Sequence, residues 1–166
     1  MSLEAIQNDY TGLVIKHYDS DNIYPLLPLL SQEFPNWTLD KIKNYVKIII
    51  SKKSDVAGML VAQNEAKYYV GLLIYTFQSI SSELIGNTKK SQFENGIVVE
   101  NLIAASPILQ KQVFFLLIES IVKICKKNNC KFIELPRIDE TYELIKEKYN
   151  NQITHHNSFR IFIKLD

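Results

Sequence analysis

Residues 97–136 place the tightest constraint on how this chain can fold. Ile97–Ala105 (IVVENLIAA) is a near-continuous apolar run interrupted only by Glu100 and Asn101, a pattern that suits a strand buried on both faces. Pro107–Lys111 are expected to turn the chain into its longest helix, from about Gln112 to Asn128. There Phe114, Leu117, Ile118, Ile121, Val122 and Cys125 make a wide apolar stripe, and Lys126-Lys127 close the negative end. Lys131–Pro136 (KFIELP) reads as a second strand. A strand, a crossing helix and a strand in one sheet make a parallel pair with a right-handed crossover.

The remaining elements fit around that pair. Gly12–Tyr18 reads as a β-rich strand ended by the Asp19-Ser20-Asp21-Asn22 cluster. Ile23–Phe34 is helical provided Pro25 and Pro28 sit near a first turn. Thr38 is the natural N-cap of a helix through about Ser51, in which Leu39, Ile42, Val46 and Ile49 repeat at helical spacing. Val56–Ala62 and Tyr68–Gln78 form an antiparallel hairpin. Ser79–Gly96 is polar and serine-rich and is expected to be a mobile loop. Glu140–Tyr149 is a short amphipathic helix, and Phe159–Leu165 a last alternating strand. No repeat or second domain boundary is visible, so one domain is expected over residues 1–166, with residues 1–10 a flexible N-terminus.

Composition excludes several classes of function. Lys and Arg total 19 and Asp and Glu 18, for a net charge of +1, so no strong field draws nucleic acid or an anionic membrane. A hydrophobic share of 46% against 22% charged residues is that of a folded globular chain. No apolar run suggests a membrane span and Met1–Tyr10 carries no apolar signal core, which predicts a cytoplasmic protein. Cys125 and Cys130, the chain's 2 cysteines, lack the ligand spacing of a zinc site and read as reduced core thiols. His155 and His156 are adjacent in an extended segment and point to opposite faces, so no metal site is expected.

The order of elements resembles the GNAT family of N-acetyltransferases over about Gly12–Leu165. The resemblance is strongest where LIAASP leads into the long helix and KNNCKFIEL follows it. It implies an α/β (α+β) fold: a mixed, mostly antiparallel sheet of about six to seven strands, with a parallel pair at its centre and helices on both faces. It also implies acetyl-CoA or another acyl-CoA as co-substrate and an amine as acceptor. Backbone groups of Leu102, Ile103 and Ala104 would pair with the pantetheine arm. The pyrophosphate would rest on the opening of the long helix, at Gln110, Lys111, Gln112, Val113 and Phe114, where a helix terminus offers donors and partial positive charge.

This chain departs from the family pattern at that loop. Counted back from Leu117-Ile118-Glu119, Gln112 and Phe114 stand where the family has small residues, and Leu109, or Gln110 with a slip, takes the leading basic or amide position. In the last helix Ile145 matches the family's acidic tyrosine. Tyr142, one turn earlier, and Tyr149 are the substitutes, with Tyr142 the candidate general acid. Glu100 is the candidate general base, since a carboxylate inside an apolar strand would have a raised pKa and accept a proton from an amine; its alternative is a solvent-facing or ion-paired carboxylate. An acyl-CoA-dependent N-acyltransferase is therefore expected. A degenerate binding or regulatory module is the alternative, and a homodimer through outward aromatic residues a weaker one.

Overall fold

The computed structural model describes residues 12–53, 55–81, 93–156 and 160–165, with the backbone path alone at 80–81, 139–140 and 154–156. In chain order the elements are β1 (Val14–His17), a 3-10 turn (Tyr24–Leu26), α1 (Leu27–Glu33), α2 (Leu39–Ser51), β2 (Ala57–Gln63), β3 (Tyr69–Ser81), β4 (Phe93–Ala104) and α3 (Pro107–Lys127). There follow β5 (Phe132–Pro136), α4 (Asp139–Tyr149), a 3-10 turn (Asn150–Gln152), β6 (Ile153–His156) and β7 (Arg160–Lys164). The strands form one seven-stranded sheet in the order β1-β2-β3-β4-β5-β7-β6. Among the described strands only β4 and β5 run parallel, and α3 makes the crossing that the sequence required.

Local chemistry sets the helix starts. Pro25 opens the first 3-10 turn and Pro28 the first turn of α1, where their missing N–H groups cost nothing. The Thr38 side chain accepts from the N–H of Lys41 at 3.2 Å and caps α2. α3 begins earlier than expected. Ser106 is its N-cap and Pro107 its first residue, and no glycine interrupts residues 107–127, so the segment expected to turn into the helix is helix already.

Two other expectations are corrected. β3 and β4 stay paired from Gln78↔Gly96 out to Ser81↔Phe93, so strand occupies both ends of the loop expected at 79–96; residues 82–92 lie outside the described residues, as does the N-terminal stretch 1–10. A short strand, β6, pairs antiparallel with β7 where none was anticipated, because four residues are too few to show a strand period.

The sheet carries a core on each face. On one face α3 and α4 cover Leu73, Tyr75, Ile97, Val99 and Leu102. α3 seats closely on β3, where a Cβ on Gly71 would meet Val113 Cγ1 at 2.2 Å. On the other face α1 and α2 cover Leu72, Ile74 and Ile103. Beyond them on this second face, Val98 packs with Phe132 and Phe162 in a separate small cluster over β4, β5 and β7. Among the described residues no helix is long and apolar enough to cross a membrane.

Candidate functional site

The site is made where β4 and β5 part. Their parallel pairing runs Gly96↔Phe132, Ile97↔Ile133 and Val98↔Glu134. β4 then continues along β3 to Ala104, while β5 ends at Pro136. From Val99 onward β4 therefore has no strand partner on its β5 side among the described residues, and a wedge opens in the sheet. At its apex the Val99 carbonyl accepts from Nη2 of Arg160 at 2.8 Å, and Nε of Arg160 donates to Glu134.

A bulge in β4 lies at the same level. Ile74 pairs with Asn101 and Tyr75 with Val99, so Glu100 has no opposite residue on β3. An extra residue in one strand locally bends it and re-aims its side chains. Val99 and Leu102 stay in the core under α3, whereas Glu100 is exposed. Its Oε1 accepts from Thr76 Oγ1 at 3.0 Å and from Gln78 Nε2 at 3.4 Å. The expectation that an apolar strand would desolvate this carboxylate is thus corrected: the bulge turns Glu100 out of the apolar interior.

Asn101 ties the bulge to the helices. Its Oδ1 accepts from the Tyr45 hydroxyl at 2.9 Å, and its Nδ2 donates to Glu33 Oε1 at 3.4 Å. Burial first, then the charges of Glu100 and Glu33, push the Tyr45 hydroxyl up to about 12. Phe34 stacks on Trp37 with centroids 4.2 Å apart, and Tyr45 meets both rings edge-on at 5.7 Å. Glu33, Tyr45, Asn101 and Glu100 therefore share one side of the sheet, beside an aromatic wall.

The α3 side differs from what the sequence led us to expect. Gln110, Lys111, Gln112, Val113 and Phe114 are consecutive helical residues, not a loop. Val113 is fully buried and Phe114 2% exposed, in the same core cluster as Leu102, Ala104 and Tyr142. Both side chains seat the helix on the sheet. Gln110 and Gln112 are half-buried, and Gln112 Oε1 is buried with no hydrogen-bond partner among the described residues. Lys111 lines an open cavity of about 570 Å³ with Leu144, Lys146 and Asn150 of the α4 region. The side chains of Leu102, Ile103 and Ala104 are buried, and the Ala104 carbonyl accepts from Gln32 Nε2 at 2.9 Å.

Tyr142 is 9% exposed on α4, facing the same core as Ile145 and Tyr149. The Arg137 guanidinium carbon lies 4.4 Å from its ring centroid. Glu100 and Tyr142 thus stand on opposite faces of the sheet, on either side of the wedge. Cys125 and Cys130 are buried free thiols, and burial raises both pKa values. Among the described residues no group of His, Cys, Asp and Glu is arranged to hold a metal.

Neither a sequence-family profile nor a curated relative matches this chain. Its fold, however, is that of solved GNAT acetyltransferases. A GNAT family acetyltransferase from Staphylococcus aureus superimposes with a TM-score of 0.60 at 15% identity, over 79% of this chain and 90% of that one. The aminoglycoside antibiotic 6'-N-acetyltransferase AAC(6')-Ih from Acinetobacter baumannii gives 0.60 at 13% identity, over 88% and 95%. AAC(6')-Iy, solved in complex with the bisubstrate analogue CoA-S-monomethyl-acetylneamine, gives 0.63 at 11% identity, over 90% and 97%.

Proposed function

We propose that this chain is an acyl-CoA-dependent N-acyltransferase whose amine acceptor approaches from the α1–α2 side of the sheet. The observation that carries this reading is the parting of β4 and β5 after Val98 and Glu134, with Glu100 turned outward at the same level. The wedge suits a pantetheine arm, which would pair with the β4 backbone edge along Leu102, Ile103 and Ala104, displacing Gln32 from the Ala104 carbonyl. The phosphates are less well served. Pro107 contributes no N–H, and Val113 and Phe114 are committed to the core. What remains for them is the uncapped start of α3, with Gln110 and Lys111 beside it.

In the reaction, the acceptor ammonium gives a proton to the Glu100 carboxylate, directly or through a water. The neutral nitrogen then attacks the thioester carbonyl carbon. As the C–N bond forms the C–S bond breaks; the departing thiolate takes a proton from the Tyr142 hydroxyl, and the second proton that the nitrogen gives up restores that hydroxyl through water. Glu100 is held in place by Thr76 and Gln78, and its exposure keeps it in reach of an incoming amine. General base catalysis of this kind contributes about 10²–10⁴-fold.

Calorimetric titration with acetyl-CoA, followed by an assay of thiol release with a panel of amines, tests the reading. Binding at a hundredfold excess over Kd should stabilise the fold by about 2.7 kcal/mol. Glu100→Gln should keep that shift and lose at least about 10²-fold in turnover. Absence of binding by acetyl-CoA and by longer acyl-CoAs at millimolar concentration would overturn it. That outcome would leave the second reading, a GNAT-like binding or regulatory module, which the helical start of α3 and the burial of Phe114 favour.

A further inference from the structure

The α1–α2 side of the bulge carries more negative charge than the proposed chemistry needs. Glu33, the last residue of α1, and Glu100 are both exposed. Among the described residues neither has a cationic partner. Glu100 is held by Thr76 and Gln78, and Glu33 by the Asn101 amide, all neutral donors. Two cations on the surrounding elements are engaged elsewhere: Arg160 pairs with Glu134, and Lys41 Nζ lies 4.3 Å from the Trp37 ring centroid. Both carboxylates act on Tyr45, since each raises its pKa. Glu33 touches the side chain of Asn101, the residue next to Glu100.

We infer that the acceptor is a short aliphatic diamine, one end held as an ammonium by Glu33 and the other presented to Glu100. This rests on the acyltransferase reading and names its substrate class. One carboxylate suffices to take the proton from the attacking nitrogen, and the other remains charged throughout. A monoamine would leave it unmatched, whereas the second ammonium of a diamine neutralises it. The half-buried rings of Phe34, Trp37 and Tyr45 beside Glu33 offer hydrocarbon for the methylene spacer. Glu33 is thus a specificity residue, and Tyr45 and Asn101 position it. The transfer balances: the diammonium ion and acyl-CoA give the monoacylated diamine, still carrying one ammonium, with free CoA thiol and one released proton.

Putrescine and butylamine are a matched pair of probes, alike in chain length and differing by one amine. Calorimetry at low salt on the whole chain should show putrescine binding about two- to fivefold tighter, the size of one exposed ion pair. Glu33→Gln should bring the two affinities together, and added salt should do the same to the unaltered protein. In the presence of acetyl-CoA, mass spectrometry should find monoacetylputrescine, with KM raised by about the same factor in Glu33→Gln and kcat nearly kept. Equal affinity for the two amines, or a preference that survives Glu33→Gln, would overturn the inference. Acetylation of butylamine or a lysine peptide without preference for putrescine would likewise overturn it, leaving the acyltransferase reading intact. Selective, Glu33-dependent binding of putrescine without any transfer would support the recognition site and remove the acyltransferase reading.

Discussion

Arg160 reaches past the end of β5 and donates through Nη2 to the carbonyl oxygen of Val99, 2.8 Å away. β7 and β4 are not neighbours in the sheet, so this one side chain ties them together at the level where β5 stops pairing with β4. The same guanidinium holds Glu134, the last β5 residue in the parallel ladder. A planar fork with separate donors can serve a carboxylate and a carbonyl at once, which an ammonium on a flexible stem does poorly.

Arg160→Met should therefore leave Glu134 without its cation and Val99 without its donor. Both residues of the pair are partly shielded, with side-chain exposures of 30% and 19%, so the loss should be about 1–3 kcal/mol, within the range for charged hydrogen bonds. Arg160→Lys should recover only part of it. Urea denaturation of the two variants and of Glu134→Gln measures this. Equal stability of Arg160→Met and the unaltered chain would show that the apex needs no such tie.

The seat of α3 offers a second test. A methyl group on Gly71 would meet Val113 Cγ1 at 2.2 Å and Leu117 Cδ1 at 3.3 Å, and the helix cannot move away without opening the core beneath it. Gly71→Ala should cost about 1–3 kcal/mol as overpacking. Val113→Ala in the same chain should relieve part of that cost, giving a coupling of opposite sign to the single losses. Thermal melts of the two single variants and the double variant decide it. Purely additive losses would count against the contact.

The helical start of α3 makes its own prediction about the missing glycines. Gln112→Gly places a flexible residue inside a helix and should cost about 1 kcal/mol. Phe114→Gly adds the loss of a buried aromatic side chain, about 3–5 kcal/mol for truncation alone. Gln112→Met should be neutral or stabilising, because it removes a buried Oε1 that has no partner. Chemical denaturation ranks the three. A stable Phe114→Gly chain would mean that the segment tolerates an open loop after all.

Parts of this arrangement were legible in the sequence and parts were not, for physical reasons. The parallel pair and its crossing helix follow from an apolar run, a stripe and a second apolar run, all local. Ser106-Pro107 is also a local helix-start signal, but reading a phosphate loop over it moved the expected start five residues along. Glu100-Asn101 stood out as two polar residues in an apolar strand. Which way Glu100 faces depends on its register against Ile74 and Tyr75 in β3, and one residue of slip reverses every side chain. Glu33 and Tyr45 lie 68 and 56 residues from Asn101 in the chain, so no window of sequence could have joined them. Arg160 opens an alternating strand like any polar residue there, and its role appears only when the end of β5 is placed beside it.

The Tyr45 hydroxyl gives a readout of this charged face that needs no ligand. Burial first, then Glu100 and Glu33, hold its pKa at about 12, against 10.0 for an ordinary tyrosine. The folded chain thus keeps a proton between pH 10 and 12 that the unfolded chain releases. The stability linked to Tyr45 is fully present below pH 10 and is lost as pH rises towards 12. Tyr149 is pushed up to about 12 as well, by burial first and then Glu119, and burial also raises the pKa values of Tyr18 and Tyr75, so the Tyr45 and Tyr149 steps are followed by their single variants. Absorbance titration of Tyr45→Phe should lose one of them and weaken the fall in stability with base. Glu33→Gln should move the Tyr45 step to lower pH and leave the Tyr149 step in place, because Glu33 acts on the first hydroxyl and Glu119 on the second. If Glu33→Gln leaves both steps where they were, its carboxylate does not reach the Tyr45–Asn101 pair, and the charge argument for a second ammonium fails with it.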